Sequence, residues 1–161
     1  MGVLKAFRLS LLLPKKRIIF QLNRVKTKDF FMYIVGLHLL IALPNGIRMV
    51  TDSVNQGAFI NEFLLILFLY PIFIIMFGIT SISVFASLGL PIVMMAKRKL
   101  TYQLLWKMTV YALTHSIALY TLFDMLGAMN WIVSLFLFIL FLLILFKMIL
   151  AYPKTRKKRI D

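Results

Sequence analysis

The chain has 161 residues, 62% of them hydrophobic, and carries 19 lysines and arginines against five acidic residues, for a formal net charge of +14. Only 15% of its residues are charged, against about a quarter in a soluble domain, so an ordinary soluble globular fold is excluded and a bilayer protein is indicated. Absence of cysteine excludes disulfides, thiolate metal sites, thiol nucleophiles and S-acylation.

Residues 1–29 form a basic cytoplasmic segment with Lys5, Arg8, Lys15, Lys16, Arg17, Arg24, Lys26 and Lys28. Apolar residues alternate with them, and the spacing of Leu4, Phe7 and Leu11 predicts one face of a helix. Pro14 divides the segment, so two short amphipathic pieces are expected on the membrane surface. The run Leu9 to Leu13 is too short for a signal-peptide core. Ala6 stands where an N-myristoylation signal needs Ser or Thr.

The first span is predicted at about 30–50, with Pro44 expected to kink or end it near the interface. Residues 51–62 are polar and read as a short outer loop. The uncharged run 63–96 would be roughly 50 Å long as a helix, against a ~30 Å hydrocarbon core. It is read as one long helix, tilted or broken at Pro71; a buried re-entrant hairpin is the second reading. Lys97-Arg98-Lys99 closes it, and Leu100 to Lys107 reads as an amphipathic connector with the belt pair Tyr102 and Trp106. The third span is predicted at about 108–126, the turn at Gly127–Asn130, and the fourth span at 131–151. Residues 152–161 make a basic tail with Arg156, Lys157, Lys158 and Arg159.

The expected fold is therefore all-α: a polytopic membrane domain of four transmembrane helices over 30–151, preceded by an N-terminal amphipathic segment. This arrangement puts every basic residue except Arg48 on one side, with Asp52, Glu62 and Asp124 on the other. The positive-inside rule then makes both termini cytoplasmic.

Polar residues inside the spans are the candidate sites. Tyr111, Thr114 and Thr121 share a face of the third span, and His115 adjoins it. They read as interhelical hydrogen-bond partners, or, for His115, as a proton or ligand site. His38, mid-span, reads as a packed neutral imidazole. Arg48 and Asp124 both fall near the outer surface and are expected either to pair or to reach water separately. Ser83 and Ser87 form a small-residue pair suited to close helix packing. Anionic-lipid contacts are expected at Lys15, Lys16, Arg17, Lys97, Arg98, Lys99 and the tail cluster 156–159. No motif for phosphate, dinucleotide, zinc or nucleophile chemistry is present, so no enzyme, no cofactor and no nucleic-acid partner is expected.

Two stretches, Lys5 to Lys15 and Lys97 to Lys107 with Tyr111-Ala112-Leu113-Thr114 following, resemble the bacterial domain-of-unknown-function 1189 family. Some of its members are labelled maltodextrin-utilisation membrane proteins. Tyr102-Gln103-Leu104-Leu105-Trp106-Lys107 is the more specific block. The resemblance implies a bacterial plasma membrane of Gram-positive type and no particular activity. Family members carry a sizeable extracytoplasmic segment after the first span, whereas only residues 51–62 stand there in this chain. The functional expectation is a non-enzymatic accessory or assembly partner of a larger membrane complex, linked to sugar transport through that resemblance. The alternative is a small oligomeric transporter component or channel.

Overall fold

The computed structural model describes residues 2–55 and 60–154, residues 60–67 by their backbone alone. The described residues form six helices in the order α1 (Val3–Ser10), α2 (Lys16–Asn23), α3 (Thr27–Asn55), α4 (Ile60–Met95), α5 (Tyr102–Met125) and α6 (Trp131–Leu150), with no named strand. Three stretches, Thr27–Asn55, Phe68–Met95 and Trp131–Leu150, are long and apolar enough to cross a membrane.

α5 touches each of the other five helices. That position explains its composition. Its surface faces protein, so Thr109, Tyr111, Thr114, Ser116 and Thr121 are buried; Tyr111, Thr114, Ser116 and Thr121 find partners in neighbouring helices, and Thr109 bonds back to the Leu105 carbonyl of its own helix. α4 and α6 lie outside it and expose large apolar side chains such as Phe77, Met95, Trp131 and Phe136, the arrangement expected of helices bathed in lipid.

Helix boundaries differ from the sequence reading where proline was given too much weight. α3 runs through Pro44 to Asn55, taking in the first five residues of the expected outer loop. Pro44 has no N–H for the Leu40 carbonyl four residues back. The hydroxyl of Thr121 on α5 lies 3.4 Å from that carbonyl and donates to it, while also donating to Ile117 at 3.0 Å. A neighbouring helix thus restores what the proline removed. α4 is likewise one continuous helix through Pro71 and Pro91, which excludes the re-entrant hairpin among the described residues. Leu100 to Lys107 is not a separate connector: from Tyr102 onward it is the first turns of α5.

The α5–α6 hairpin closes with its own chemistry. Gly127 takes φ 67°, a conformation that glycine adopts without strain. Its N–H donates to Asp124 at 3.1 Å and the next N–H, of Ala128, to Phe123 at 3.0 Å, which is the Schellman pattern. Asn130 then caps α6, its Oδ1 accepting from the Val133 N–H at 2.9 Å.

The N-terminal segment is part of the bundle. α1 packs on α3 and α5, and α2 packs on α5. Ala6, Ile19 and Leu22 are fully buried there, while Lys15, Lys16 and Arg17 are exposed. The amphipathic pattern therefore faces protein on its apolar side. Tyr152, just after α6, stacks on Phe20 and accepts a hydrogen bond from the Asn23 amide. Burial pushes its phenol above the ordinary tyrosine value, with the Asn23 hydrogen bond pulling it down.

Candidate functional site

The polar residues of α5 divide into two groups. The first holds the N-terminal segment. Tyr111 donates to the Leu22 carbonyl at 3.3 Å, and His115 Nε2 donates to the Leu11 carbonyl at 3.1 Å. Leu11 and Leu22 lie at the C-terminal ends of α1 and α2; the Leu22 carbonyl also accepts from the Val25 N–H at 3.1 Å. Between them Thr114 is hydrogen-bonded to Tyr33, whose hydroxyl also reaches Ser10 at 3.1 Å. Ser10 in turn donates to Ala6 at 2.8 Å. Tyr111, Thr114 and His115 thus face the ends of two short helices. The other His115 nitrogen, Nδ1, is buried without a partner.

The second group lies at the C-terminal end of α5. Arg48 on α3 and Asp124 on α5 pair at 3.0 Å, with the arginine side chain 52% exposed and the carboxylate 10%. Arg48 also donates to the Asp124 backbone carbonyl at 2.8 Å, and so caps the C-terminal end of α5. Its second Nη lies 3.5 Å from the Asn45 side-chain oxygen.

Beside this pair lies an apolar cleft of ≈ 530 Å³ between α3, α4 and α5. Its walls are aromatic and aliphatic: Ile41 from α3; Phe73, Ile74, Phe77, Ile82 and Phe85 from α4; Leu113 and Ile117 from α5. Asn45, Tyr70 and Tyr120 are its polar residues toward the Arg48–Asp124 end, and His38, Gly78 and Ser81 line its deeper part. A second recess of ≈ 230 Å³ shares Ile41, Phe85, Leu113, Ile117 and Tyr120 with it and continues to Ser134, Leu137 and Phe138 on α6. The opening thus runs laterally between α4 and α6.

His38 is 6% exposed and its Nδ1 lies 2.7 Å from the Ile34 carbonyl. A carbonyl only accepts, so Nδ1 carries the hydrogen, and in the neutral ring Nε2 keeps a lone pair. That nitrogen faces Gly78 at the cleft.

Ser83 accepts from Trp106 Nε1 at 3.2 Å, and its carbonyl accepts from Ser87 at 2.9 Å and Tyr102 at 3.3 Å. Of the small-residue pair, Ser83 meets α5, while Ser87 is exposed and bonds within α4. Among the described residues no group of three His, Cys, Asp or Glu is placed to hold a metal. Of the basic residues singled out in the sequence, Lys16 and Arg98 line one recess, and Lys97 and Arg98 another; Lys15, Arg17 and Lys99 are exposed. Arg156, Lys157, Lys158 and Arg159 lie outside the described residues.

Sequence reasoning missed the cleft. Asn45, Tyr70, Ser81 and Tyr120 sit on three helices at unrelated positions, and no periodicity within one helix reports a gap between helices. No protein-family model, no curated protein and no solved structure matches the chain.

Proposed function

We propose that this is a four-span, non-enzymatic accessory protein of a bacterial plasma membrane, both termini cytoplasmic, whose working site takes the hydrocarbon chain of a membrane amphiphile into the lateral cleft. The shape and lining of the cleft carry this reading. Along α4 it runs from Tyr70 to Phe85, ~22 Å at the helical rise. Its walls are chiefly aromatic and aliphatic side chains, which suit an extended hydrocarbon chain lying along the helix.

The ends of the cleft suit an amphiphile. Asn45, Tyr70 and Tyr120 give the outer mouth hydrogen-bonding groups beside the Arg48–Asp124 ion pair, and the interior offers mainly apolar walls. Counting α5 as the fourth span is consistent with its burial: Lys107 to Asp124 covers ~26 Å, and its polar groups are satisfied by protein. In the same reading α1 is held below the surface, because Leu11 meets His115 about 12 Å along α5 from Lys107. The resemblance to the domain-of-unknown-function 1189 family would tie the accessory role to sugar transport. A channel built from copies of this chain is less well supported, since Tyr111, Thr114 and Thr121 are engaged inside one protomer.

The test is photocrosslinking in membranes with a lipid carrying a diazirine in its acyl chain. Label is expected on peptides containing Phe73 to Phe85, reduced several-fold by Ser81→Phe, which fills the cleft. Label spread evenly over the exposed faces of α4 and α6, and unchanged by Ser81→Phe, defeats the reading. A mild-detergent pull-down then identifies the complex that the protein serves.

A further inference from the structure

At the opposite end of the bundle from the cleft mouth, α4 ends in a second Schellman turn. The Lys97 N–H donates to Met94 at 3.0 Å and the Arg98 N–H to Val93 at 3.1 Å. The residue in the left-handed position is Lys97, at φ 49°, where glycine would be unstrained. A strained non-glycine residue at such a point directs attention to its side chain. The backbone then pairs with the segment after α6: Arg98 and Lys154 form an isolated antiparallel bridge, and the Lys99 N–H donates to Pro153 at 3.1 Å.

Arg98 is the wall between two recesses. One, of ≈ 600 Å³, has Lys16 from α2 on its far side. The other, of ≈ 410 Å³, has Lys97 and Lys154. Lys16, Arg98 and Lys154, from three distant parts of the chain, line these two adjoining recesses, and among the described residues no carboxylate lines either one. The guanidinium is short of acceptors: Nη1 donates to the Tyr152 carbonyl, and the Nε–H is buried with no partner. Met95, Phe20 and Leu150 edge the same recesses with exposed apolar surface.

We propose that this cluster is a headgroup site for one phosphate-bearing lipid of the cytoplasmic leaflet. Arg98 offers a planar fork of donors to the phosphate, the lysines supply point charge, and Met95 and Leu150 meet the start of the acyl chains. Apolar edges beside the cations are what separate a lipid phosphate from a soluble one. The leaflet assignment rests on the orientation proposed above; the binding site itself does not.

The full-length protein in mild detergent, examined by native mass spectrometry with added phosphatidylglycerol or phosphatidylcholine of equal chain length, tests this. Wild type is expected to retain phosphatidylglycerol preferentially. Lys16→Ala and Lys154→Ala should each lower its retention about fivefold, the equivalent of the ~1 kcal/mol that one cation contributes at an anionic membrane surface. These lysine variants carry the test, because Arg98→Ala also removes the bond to Tyr152 and can unfold the end of the bundle. Equal retention of the two lipids, or lysine variants indistinguishable from wild type, overturns the proposal. Displacement of phosphatidylglycerol by millimolar inorganic phosphate overturns the lipid source and assigns the cluster to soluble phosphate esters. Detergent removes any sidedness, so a wrong orientation shows instead in protease accessibility of a C-terminal tag in sealed vesicles.

Discussion

The imidazole of His38 occupies the place where residue 78 would carry a Cβ: Nε2 lies 1.7 Å from that position and Cδ2 1.9 Å. Gly78 is thus the hollow into which α3 sets its histidine against α4. Gly78→Ala gains up to ~1 kcal/mol of helix propensity. It must also displace a ring that is 6% exposed and hydrogen-bonded to Ile34. Overpacking of this kind costs about 1–3 kcal/mol, so net destabilisation is expected in a denaturant titration in micelles. Adding His38→Ala should make Gly78→Ala neutral or stabilising. Additive effects in the double variant would mean that the two residues are not in contact.

Arg48 and Asp124 predict an asymmetry. Asp124 is buried with Oδ2 unpartnered, and Arg48 is half-exposed. Arg48→Ala leaves a buried carboxylate without its cation and should cost about 1–3 kcal/mol, between an exposed and a buried pair. Asp124→Asn in the Arg48→Ala background removes that stranded charge and should recover part of the loss. Thermal unfolding of the four proteins in detergent would show no recovery if the carboxylate already reaches water.

Thr121 predicts a dependence on proline. Its hydroxyl supplies the Leu40 carbonyl that Pro44 cannot. Thr121→Val should cost about 1 kcal/mol in wild type. In a Pro44→Ala background residue 44 has its own N–H to offer Leu40, and the cost should shrink. An equal cost in both backgrounds, read from the same titrations, would place the role of Thr121 in its bond to Ile117 instead.

How much of this was legible in the sequence varies by residue. The shared face of Tyr111, Thr114 and Thr121 follows from helical spacing. What that face meets does not: Thr114 and Thr121 bond to Tyr33 and Leu40 of α3, while Tyr111 reaches the end of α2, and nothing local says that residues 3–23 fold back onto α5. A basic amphipathic stretch has the same pattern whether its apolar side meets lipid or protein. Pro44 reads as a break because sequence shows the missing N–H and not Thr121, the neighbour that compensates for it.

The cysteine-free sequence makes the N-terminal anchor testable by single-cysteine labelling. Ala6 is fully buried and the cationic Lys15 is exposed. Ala6→Cys should therefore resist maleimide and Lys15→Cys should react. Thr114→Val or Tyr33→Phe, each removing hydrogen bonding of about 1 kcal/mol, should raise labelling at position 6 about fivefold. Equal reactivity at both positions would show that α1 is not docked.

Composition and charge alone determine that the chain is helical and apolar enough for a bilayer, and where its cationic clusters lie. Those properties are sums over residues and their spacing along one chain, so they survive without knowledge of the fold. The cleft, the fit of His38 against Gly78 and the gathering of Lys16, Arg98 and Lys154 were decided only by tertiary structure. Each is a relation between helices far apart in sequence, set by which side chains fill the space between them and which leave it open.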